Sequence, residues 1–220
     1  MSQVRAGQSI EDASMRIIDE EIGGRHAYND AEWPVVRRVI HATADFDFAG
    51  ANRMLFHEDA IEGGMGALRG GRAIITDVNG VIGGLNKQNP RDFGNEIICR
   101  ISDPGVAAAA KEKSLTRSQA AMRSVSPEMS GGIVAIGNAP TALREVLRMA
   151  REGAAKPALI VGVPVGFVDA AESKAELAQQ DGIPYITNVG RKGGSPAASA
   201  IVNALYKLLR AGPRAAGQRA

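Results

Sequence analysis

Apolar residues recur at helical spacing in the first third of the chain and form short, nearly unbroken runs in the rest. Residues 9–12 resemble a capping box, and the apolar phase after them predicts a helix over 10–22 that ends at two consecutive glycines. A second helix is expected from about residue 30 to about residue 45. Residues 46–56 are ambiguous and leave an irregular strand as one alternative, whereas 58–68 is predicted to be helical despite three glycines.

Short apolar runs rich in β-branched residues predict five strands, at 73–78, 95–101, 133–137, 158–165 and 183–189. Helical spacing in the segments that separate most of them predicts helices at 105–113, 116–126, 140–152, 168–180 and 195–210. This alternation is typical of a sheet whose strands run mostly parallel. We therefore expect an α/β fold of three αβα layers, with a mostly parallel sheet and helices on both faces.

Length and composition favour one ordinary globular domain. The 220 residues are 45% hydrophobic and 23% charged, and no linker or change in composition divides them. We expect a single domain over 1–212 and a flexible tail over 213–220. The single cysteine, Cys99, excludes an internal disulfide and favours a reducing, cytoplasmic location. The longest apolar run is short and is interrupted by glycine and proline, so no membrane partner is expected.

The small net charge narrows the classes of ligand. It is formally +2, and the chain lacks the basic excess and interleaved aromatic residues of a nucleic-acid binder, so no nucleic-acid partner is expected. An anion must therefore be bound by a local group. One candidate is the helix predicted to begin at Pro140, just after the strand that stops at Gly137, because the first amides of a helix attract anions.

Ligands of open α/β sheets bind beyond the carboxyl ends of the strands. Four polar or glycine-rich segments follow predicted strands, at Asp77, Asn138, 165–167 and 190–195. A dinucleotide site needs G-x-G-x-x-G and a P-loop needs a Gly-Lys-Ser/Thr ending, and these segments supply neither. A phosphate-binding fingerprint is therefore unsupported, and each glycine can equally serve only a tight turn.

Residue chemistry points to His41 rather than to a metal or a nucleophile. The three histidines show no metal-ligand spacing and no G-x-S-x-G occurs, so we expect no metal and no serine-type nucleophile. His41 follows Arg38 by one helical turn near the end of the second helix. The helix dipole favours the imidazolium by about 0.3–1 kcal/mol, and Arg38 opposes it by a similar amount. The charge of His41 is thus left open, and so is a merely structural role.

Five segments together resemble the precorrin-8X methylmutase family of cobalamin biosynthesis, and they are RRVIHATADFDF, FGNEIICRISDP, LTRSQAAM, VAIGNAPTALREVL and PALIVGVPVGFVDAAESK. The resemblance runs over nearly the whole chain. It implies a homodimer of αβα domains and a tetrapyrrole substrate. It also implies a 1,5-sigmatropic shift of a methyl group from C-11 to C-12 of the macrocycle, and such a shift needs no cofactor because the electrons move within the substrate. The product would be hydrogenobyrinic acid, or a cobyrinic acid where cobalt is already present.

The resemblance also implies roles for individual residues. His41 matches the catalytic histidine of the family, and Arg38 matches the arginine one turn before it. Ser14 matches a serine of the first helix that meets the substrate. Arg117 matches an arginine that the family pattern suggests reaches across the dimer interface. Around residues 79–80 the family pattern leads us to expect a larger apolar residue, and this chain has Asn and Gly there.

A large ring edged with carboxylates needs cations and amides at its rim and apolar surface beneath it. We expect Asn138 and the amides after it to bind at the rim. Val165, Phe167 and Val168 are expected to form the floor. Arg38 and Arg117 can each hold a carboxylate through two hydrogen bonds.

Two other functions remain open at this point. A flavodoxin-like or Rossmann-like nucleotide enzyme would share the alternation of strands and helices. A non-catalytic corrinoid carrier would need the same cationic rim but not His41. For single residues, Ser14 can be a solvated helix hydroxyl and Arg117 can be a surface ion-pair partner.

Overall fold

The computed structural model describes residues 2–212, apart from the side chains of 2–6 and 8. The predicted tail over 213–220 lies outside these residues. The helices are α1 (Ser2–Ile22), α2 (Trp33–Thr43), α3 (Ala60–Arg69), α4 (Asn79–Gly84), α5 (Gln88–Phe93), α6 (Pro104–Glu112), α7 (Arg117–Ser124), α8 (Pro140–Arg151), α9 (Ala170–Ala178) and α10 (Ser195–Ala211). The strands are β1 (Met54–Phe56), β2 (Ile74–Thr76), β3 (Ile97–Ile98), β4 (Ile133–Ile136), β5 (Leu159–Gly162) and β6 (Tyr185–Asn188).

The strands form one six-stranded sheet in the order β1-β6-β5-β4-β2-β3. All neighbouring pairs run parallel except β1 and β6, which pair antiparallel at one edge. From the centre of the sheet, β3 follows β2 toward one edge, and β5 and β6 follow β4 toward the other. The carboxyl ends of the parallel strands meet at one side of the sheet. The expectation of a mostly parallel sheet is therefore confirmed.

Side chains alternate across the strands and divide the core into two apolar clusters. On β4, Ile133 and Ala135 face one cluster, whereas Val134 and Ile136 face the other. The first cluster lies under α1, α2, α3, α4 and α10, and the second lies under α6, α7, α8 and α9. Helices thus cover both faces of the sheet, and the three αβα layers are confirmed.

The predicted strands and the helices of the second half of the chain are all present within a few residues of their expected ends. The first helix is longer than predicted, since it begins at Ser2 and carries Ser9 in its interior. The capping box expected at 9–12 is therefore wrong. The ambiguous segment 46–56 contains a 3₁₀ helix over Phe46–Ala49 and then the short edge strand β1.

Two short helices, α4 and α5, were not expected from the sequence. The segment of α4 is NGVIGG, and its three glycines disfavour a helix in isolation. Packing against α10 stabilises it in the folded chain, because glycines let the two helix backbones approach closely. Tertiary contact thus overrides local propensity here.

A search of the described residues finds no helix that is both long and apolar enough to span a membrane.

Candidate active site

A cleft of about 360 Å³ opens between α2, α4 and α10, where the first turn of α10 approaches the end of α2. Its walls carry both charged and small side chains. They are Arg38, His41, Ala42, Gly80, Gly84, Ser195, Pro196, Ser199, Ala200 and Asn203. Two residues expected from the sequence to act together, Arg38 and His41, thus line one cleft.

His41 lies in the last turn of α2 and is held by a contact from α1. Its Nδ1 atom lies 2.7 Å from the Ser14 hydroxyl oxygen, which is hydrogen-bond distance. The apolar side chains of α1 and α2 pack against each other beneath this contact. The serine hydroxyl therefore fixes the orientation of the imidazole and leaves Nε2 as the second ring nitrogen. The alternative that Ser14 is only a solvated helix hydroxyl is therefore wrong, because its hydroxyl contacts His41.

Burial lowers the pKa of His41 below its ordinary value, and the nearby Arg38 guanidinium lowers it further. Glu11 acts in the opposite direction but does not offset these two effects. The question left open by the helix dipole and Arg38 is thus answered in favour of the neutral imidazole. In the unliganded protein, His41 is mostly uncharged at neutral pH.

Arg38 is part of an ion-pair cluster that sequence reasoning missed. Its Nη1 atom lies 2.7 Å from a carboxylate oxygen of Glu11, and Lys207 Nζ donates to the same oxygen at 2.6 Å. Burial raises the pKa of Glu11, but the bonds from Lys207 and Arg38 more than offset this, and the pKa lies below its ordinary value. Glu11 thus holds two cations beside His41, and Arg38 meets a ligand with part of its charge already compensated.

Small residues make the opposite wall of the cleft. A Cβ atom added at Gly80 would lie 3.0 Å from Ser195 Oγ, and one added at Gly84 would collide with Ser199 Oγ. Asn203 donates to the carbonyl of Gly84 at 2.8 Å and so fixes the end of α4 on α10. The glycine at position 80, where we expected a larger apolar residue, therefore suits this close approach, since a Cβ atom there would press on the Ser195 side chain. A larger side chain there would also narrow the cleft.

Three backbone amides just before α8 are already occupied. The buried carboxylate of Asp77 accepts hydrogen bonds from the backbone N–H groups of Gly137, Asn138 and Ala139, at 2.7–2.9 Å. Burial raises the pKa of Asp77, and these three donors oppose the rise. The expectation that the amides after Asn138 bind a ligand carboxylate is therefore wrong for Ala139, because Asp77 supplies its anion. The exposed side chain of Asn138 is still free to meet a ligand.

An exposed apolar loop follows β5 at the same side of the sheet. Val165 is 45% exposed, and Phe167 and Val168 are each 84% exposed. The Arg191 guanidinium lies 5.7 Å from the centre of the Phe167 ring, within cation–π range. Val165 reaches Gly194, the residue before the cleft-lining Ser195. The apolar surface expected at this loop thus lies beside the cleft.

Arg117 lies elsewhere. It is the first residue of α7, is exposed, and belongs to the helical layer on the face of the sheet away from α2. Within one chain it is not among the residues that line the His41 cleft. The structure therefore brings Ser14, Arg38 and His41 together and leaves Arg117 apart from them.

Sequence reasoning missed three residues around the cleft, which are Glu11, Ser199 and Lys207, and it included Ser195 only as the end of the segment 190–195. One of them has a local signal: Glu11 precedes Ser14 by three residues, as Arg38 precedes His41, so both pairs share a helix face. Lys207 is 196 residues from Glu11 along the chain, and no local pattern joins them. Among residues 2–212, no group of three His, Cys, Asp or Glu side chains is placed to bind a metal ion.

These features define a class: a three-layer α/β protein with one histidine in a cleft, cations beside it and apolar surface at its mouth. The model of the precorrin-8X methylmutase family matches residues 9–208. The chain belongs to the precorrin-8X methylmutase family. The family name describes an isomerase, an enzyme that moves a methyl group within one molecule.

Proteins named as methylmutases are similar to this chain over almost its whole length. A cobalt-precorrin-8 methylmutase of Priestia megaterium is 49% identical over 205 residues, which cover 93% of this chain and 89% of the relative. A precorrin-8X methylmutase of Pseudomonas aeruginosa is 42% identical over 203 residues, which cover 92% of this chain and 96% of the relative. The solved precorrin-8X methylmutase of Thermus thermophilus is 40% identical, with a TM-score of 0.85 over 93% of this chain and 97% of its own.

Proposed function

We propose that the chain moves a methyl group from C-11 to C-12 of precorrin-8X or of its cobalt form. One carbon–carbon bond breaks and another forms, so substrate and product have the same composition and no electron donor or acceptor is needed. The observation that carries the proposal is the placement of the His41 imidazole on the cleft wall, oriented by Ser14 at 2.7 Å. The relatives include proteins named for both forms of the substrate, so both belong in the test.

His41 is the proposed catalytic group. With Ser14 at Nδ1, the Nε2 atom is the ring nitrogen left to reach a bound macrocycle. The free protein keeps the imidazole mostly neutral. The carboxylates of a bound tetrapyrrole add negative charge beside the ring and raise its pKa, which favours proton donation to the conjugated system. General-acid help of this kind contributes about two to four powers of ten in rate.

Binding rests on the cations and on the apolar loop. Arg38 lines the cleft, and Glu11 lies between Arg38 and Lys207, so a carboxylate arm of the ring competes with Glu11 for these cations. Val165 and Phe167 supply the apolar floor, and the Asn138 side chain supplies a polar contact at the rim. Rigid holding of the ring accounts for much of the remaining rate enhancement. The proposed reaction uses no cofactor.

The assembly is part of the proposal. A cleft of about 360 Å³ is small for a whole macrocycle with its acid arms, so a second surface is needed to enclose the ring. We propose a homodimer in which Arg117 of one chain completes the site of the other, since within one chain it is on the far layer. We also propose that residues 1–212 fold as a single domain and that the enzyme is cytoplasmic.

The test is turnover of metal-free precorrin-8X and of cobalt-precorrin-8, followed by the change in chromophore absorbance. The wild-type protein is expected to convert at least one of them. His41→Ala is expected to lower kcat by about 10²- to 10⁴-fold and to change the Kd for the product by only a few-fold. His57→Ala, at a histidine outside the cleft, is the matched control and should keep full activity.

Three outcomes would contradict the proposal. A His41→Ala protein with wild-type turnover would remove the histidine from the mechanism. Wild-type protein that binds both substrates and returns their spectra unchanged would be a carrier rather than an isomerase. A protein that binds neither form would have another ligand.

A further inference from the structure

A lysine is buried in the second helical layer without a carboxylate partner. Lys174, on α9, is only 1% exposed. No described Asp or Glu side chain lies within ion-pair distance of it, and burial alone lowers its pKa to about 8. The ammonium is therefore still charged at neutral pH. Burying an ammonium is unfavourable, so the presence of a lysine at this position indicates that its N–H groups have a specific function.

The donors of Lys174 hold one loop. Nζ donates to the backbone carbonyl of Lys192 at 2.5 Å and to the side-chain oxygen of Asn188 at 3.2 Å. The Asn188 amide in turn donates to the carbonyls of Val189 and Lys192, at 3.0 and 2.9 Å. Lys174 and Asn188 thus bind the segment 189–194, called here the glycine loop, from beneath.

The glycine loop is anchored on its other side to the segment that follows His41. The Lys192 side chain bridges Asp45 and Asp47, both at 2.7 Å, and these residues come directly after α2. Gly193 has a φ of 156°, and a Cβ atom there would collide with the carbonyl oxygen of Val163. Gly194 donates to that same carbonyl at 2.8 Å. The loop therefore has little freedom as long as its anchors are intact.

Two parts of the candidate active site depend on the position of this loop. It leads directly into Ser195 and Pro196, which form the cleft wall opposite His41. Its Arg191 carbonyl accepts a hydrogen bond from the N–H of Gly166, and the Arg191 guanidinium covers Phe167. A shift of the loop would therefore move the cleft wall and the apolar floor together.

We propose that Lys174 is a positioning residue for the methylmutase reaction: through the Lys192 carbonyl it holds the glycine loop, and thereby Ser195 and Phe167, in place for the substrate. The inference rests on the proposed function. A purely structural residue at this position would need only to fill space, which methionine does with a similar length and without desolvation of a charge. What methionine lacks is the donors to the loop.

The test compares Lys174→Met with Lys111→Met, a matched loss of one exposed lysine on α6. Lys174→Met is expected to change Tm little, because relief from burying a charge opposes the loss of two hydrogen bonds. It is also expected to increase amide hydrogen exchange at 189–194 and to lower kcat/KM by about 10- to 100-fold. Most of the loss should appear in KM, since the bound ring loses its wall and floor. Lys174→Arg should restore part of kcat/KM, and Lys111→Met should match the wild type throughout.

A second variant keeps the proposal testable if Lys174→Met fails to fold. Lys192→Met removes the half-buried side-chain bridge to Asp45 and Asp47 while the core is untouched. It should raise both the hydrogen exchange of the loop and KM, by smaller factors than Lys174→Met.

Wild-type exchange and kcat/KM in the Lys174→Met protein would overturn the proposal. So would a fall in Tm with activity lost only in proportion to the unfolded fraction. If the wild-type protein itself shows no turnover, the proposed function fails, and the exchange measurement still tests the hold on the loop.

Discussion

The ring of His41 lies beside a cation and a carboxylate that act on its charge in opposite directions. Arg38→Gln removes the charge that lowers the pKa, so the His41 pKa should rise toward its ordinary value. Glu11→Gln removes the charge that raises it, so the pKa should fall further. Titration of the histidine ring protons by NMR, with the His41 signal assigned from a His41→Gln protein, measures both shifts. Shifts of the same sign in the two variants would contradict this electrostatic account.

The lowered pKa of His41 also makes the free energy of unfolding depend on pH. Because the folded-state pKa of His41 lies below that of the unfolded chain, the unfolded chain binds more protons in mild acid. The contribution of His41 to the free energy of unfolding is thus present above the unfolded pKa and is lost as pH falls through the folded pKa.

The sequence predicts only part of the pKa shift of His41. The effects of Arg38 and of the helix dipole on this pKa follow from the sequence, but the effect of burial does not, and burial is the larger cause.

At the scale of an element, Asp77 substitutes for a ligand at the start of α8. Asp77→Ala would leave three N–H groups without an acceptor, two of them buried, and we expect a loss of about 3 kcal/mol or more in the free energy of unfolding. Asp77→Asn keeps one carbonyl oxygen and should lose less. Asp181→Ala, at an exposed site, should stay within about 0.5 kcal/mol of the wild type. Urea unfolding measures all three, and equal stability of Asp77→Ala and the wild type would show that water replaces the carboxylate.

The elements also show what the sequence could and could not predict. The strand before Asp77 was predicted because β-branched runs signal buried strands, and the helix at Pro140 was predicted from its spacing. The Asp77 carboxylate accepts from Gly137, a residue 60 positions away, and no local pattern predicts this hydrogen bond. The sequence therefore predicts a ligand anion before the helix, where the structure has the side chain of Asp77. For the same reason Ser14 and His41 were each proposed, but only the fold shows that their side chains meet.

At the scale of the whole molecule, the separation of Arg117 from His41 within one chain makes a test of the proposed shared site. If Arg117 of one chain serves the His41 cleft of the other, a heterodimer of His41→Ala and Arg117→Ala chains has one site with both defects and one intact site. Each homodimer should be nearly inactive, and the heterodimer, isolated with two different tags, should recover about half of wild-type kcat.

The matched control is a heterodimer of His41→Ala and His41→Gln chains, in which every site lacks the histidine, and it should recover nothing. A His41→Ala and Arg117→Ala heterodimer that forms but stays inactive would place the whole site within one chain. Full activity of the Arg117→Ala homodimer would make Arg117 only a surface residue of α7, and the cleft between α2, α4 and α10 would then have to hold the ring without it. Recovery of activity would instead explain why an exposed arginine on one helical layer and a histidine on the other serve the same reaction.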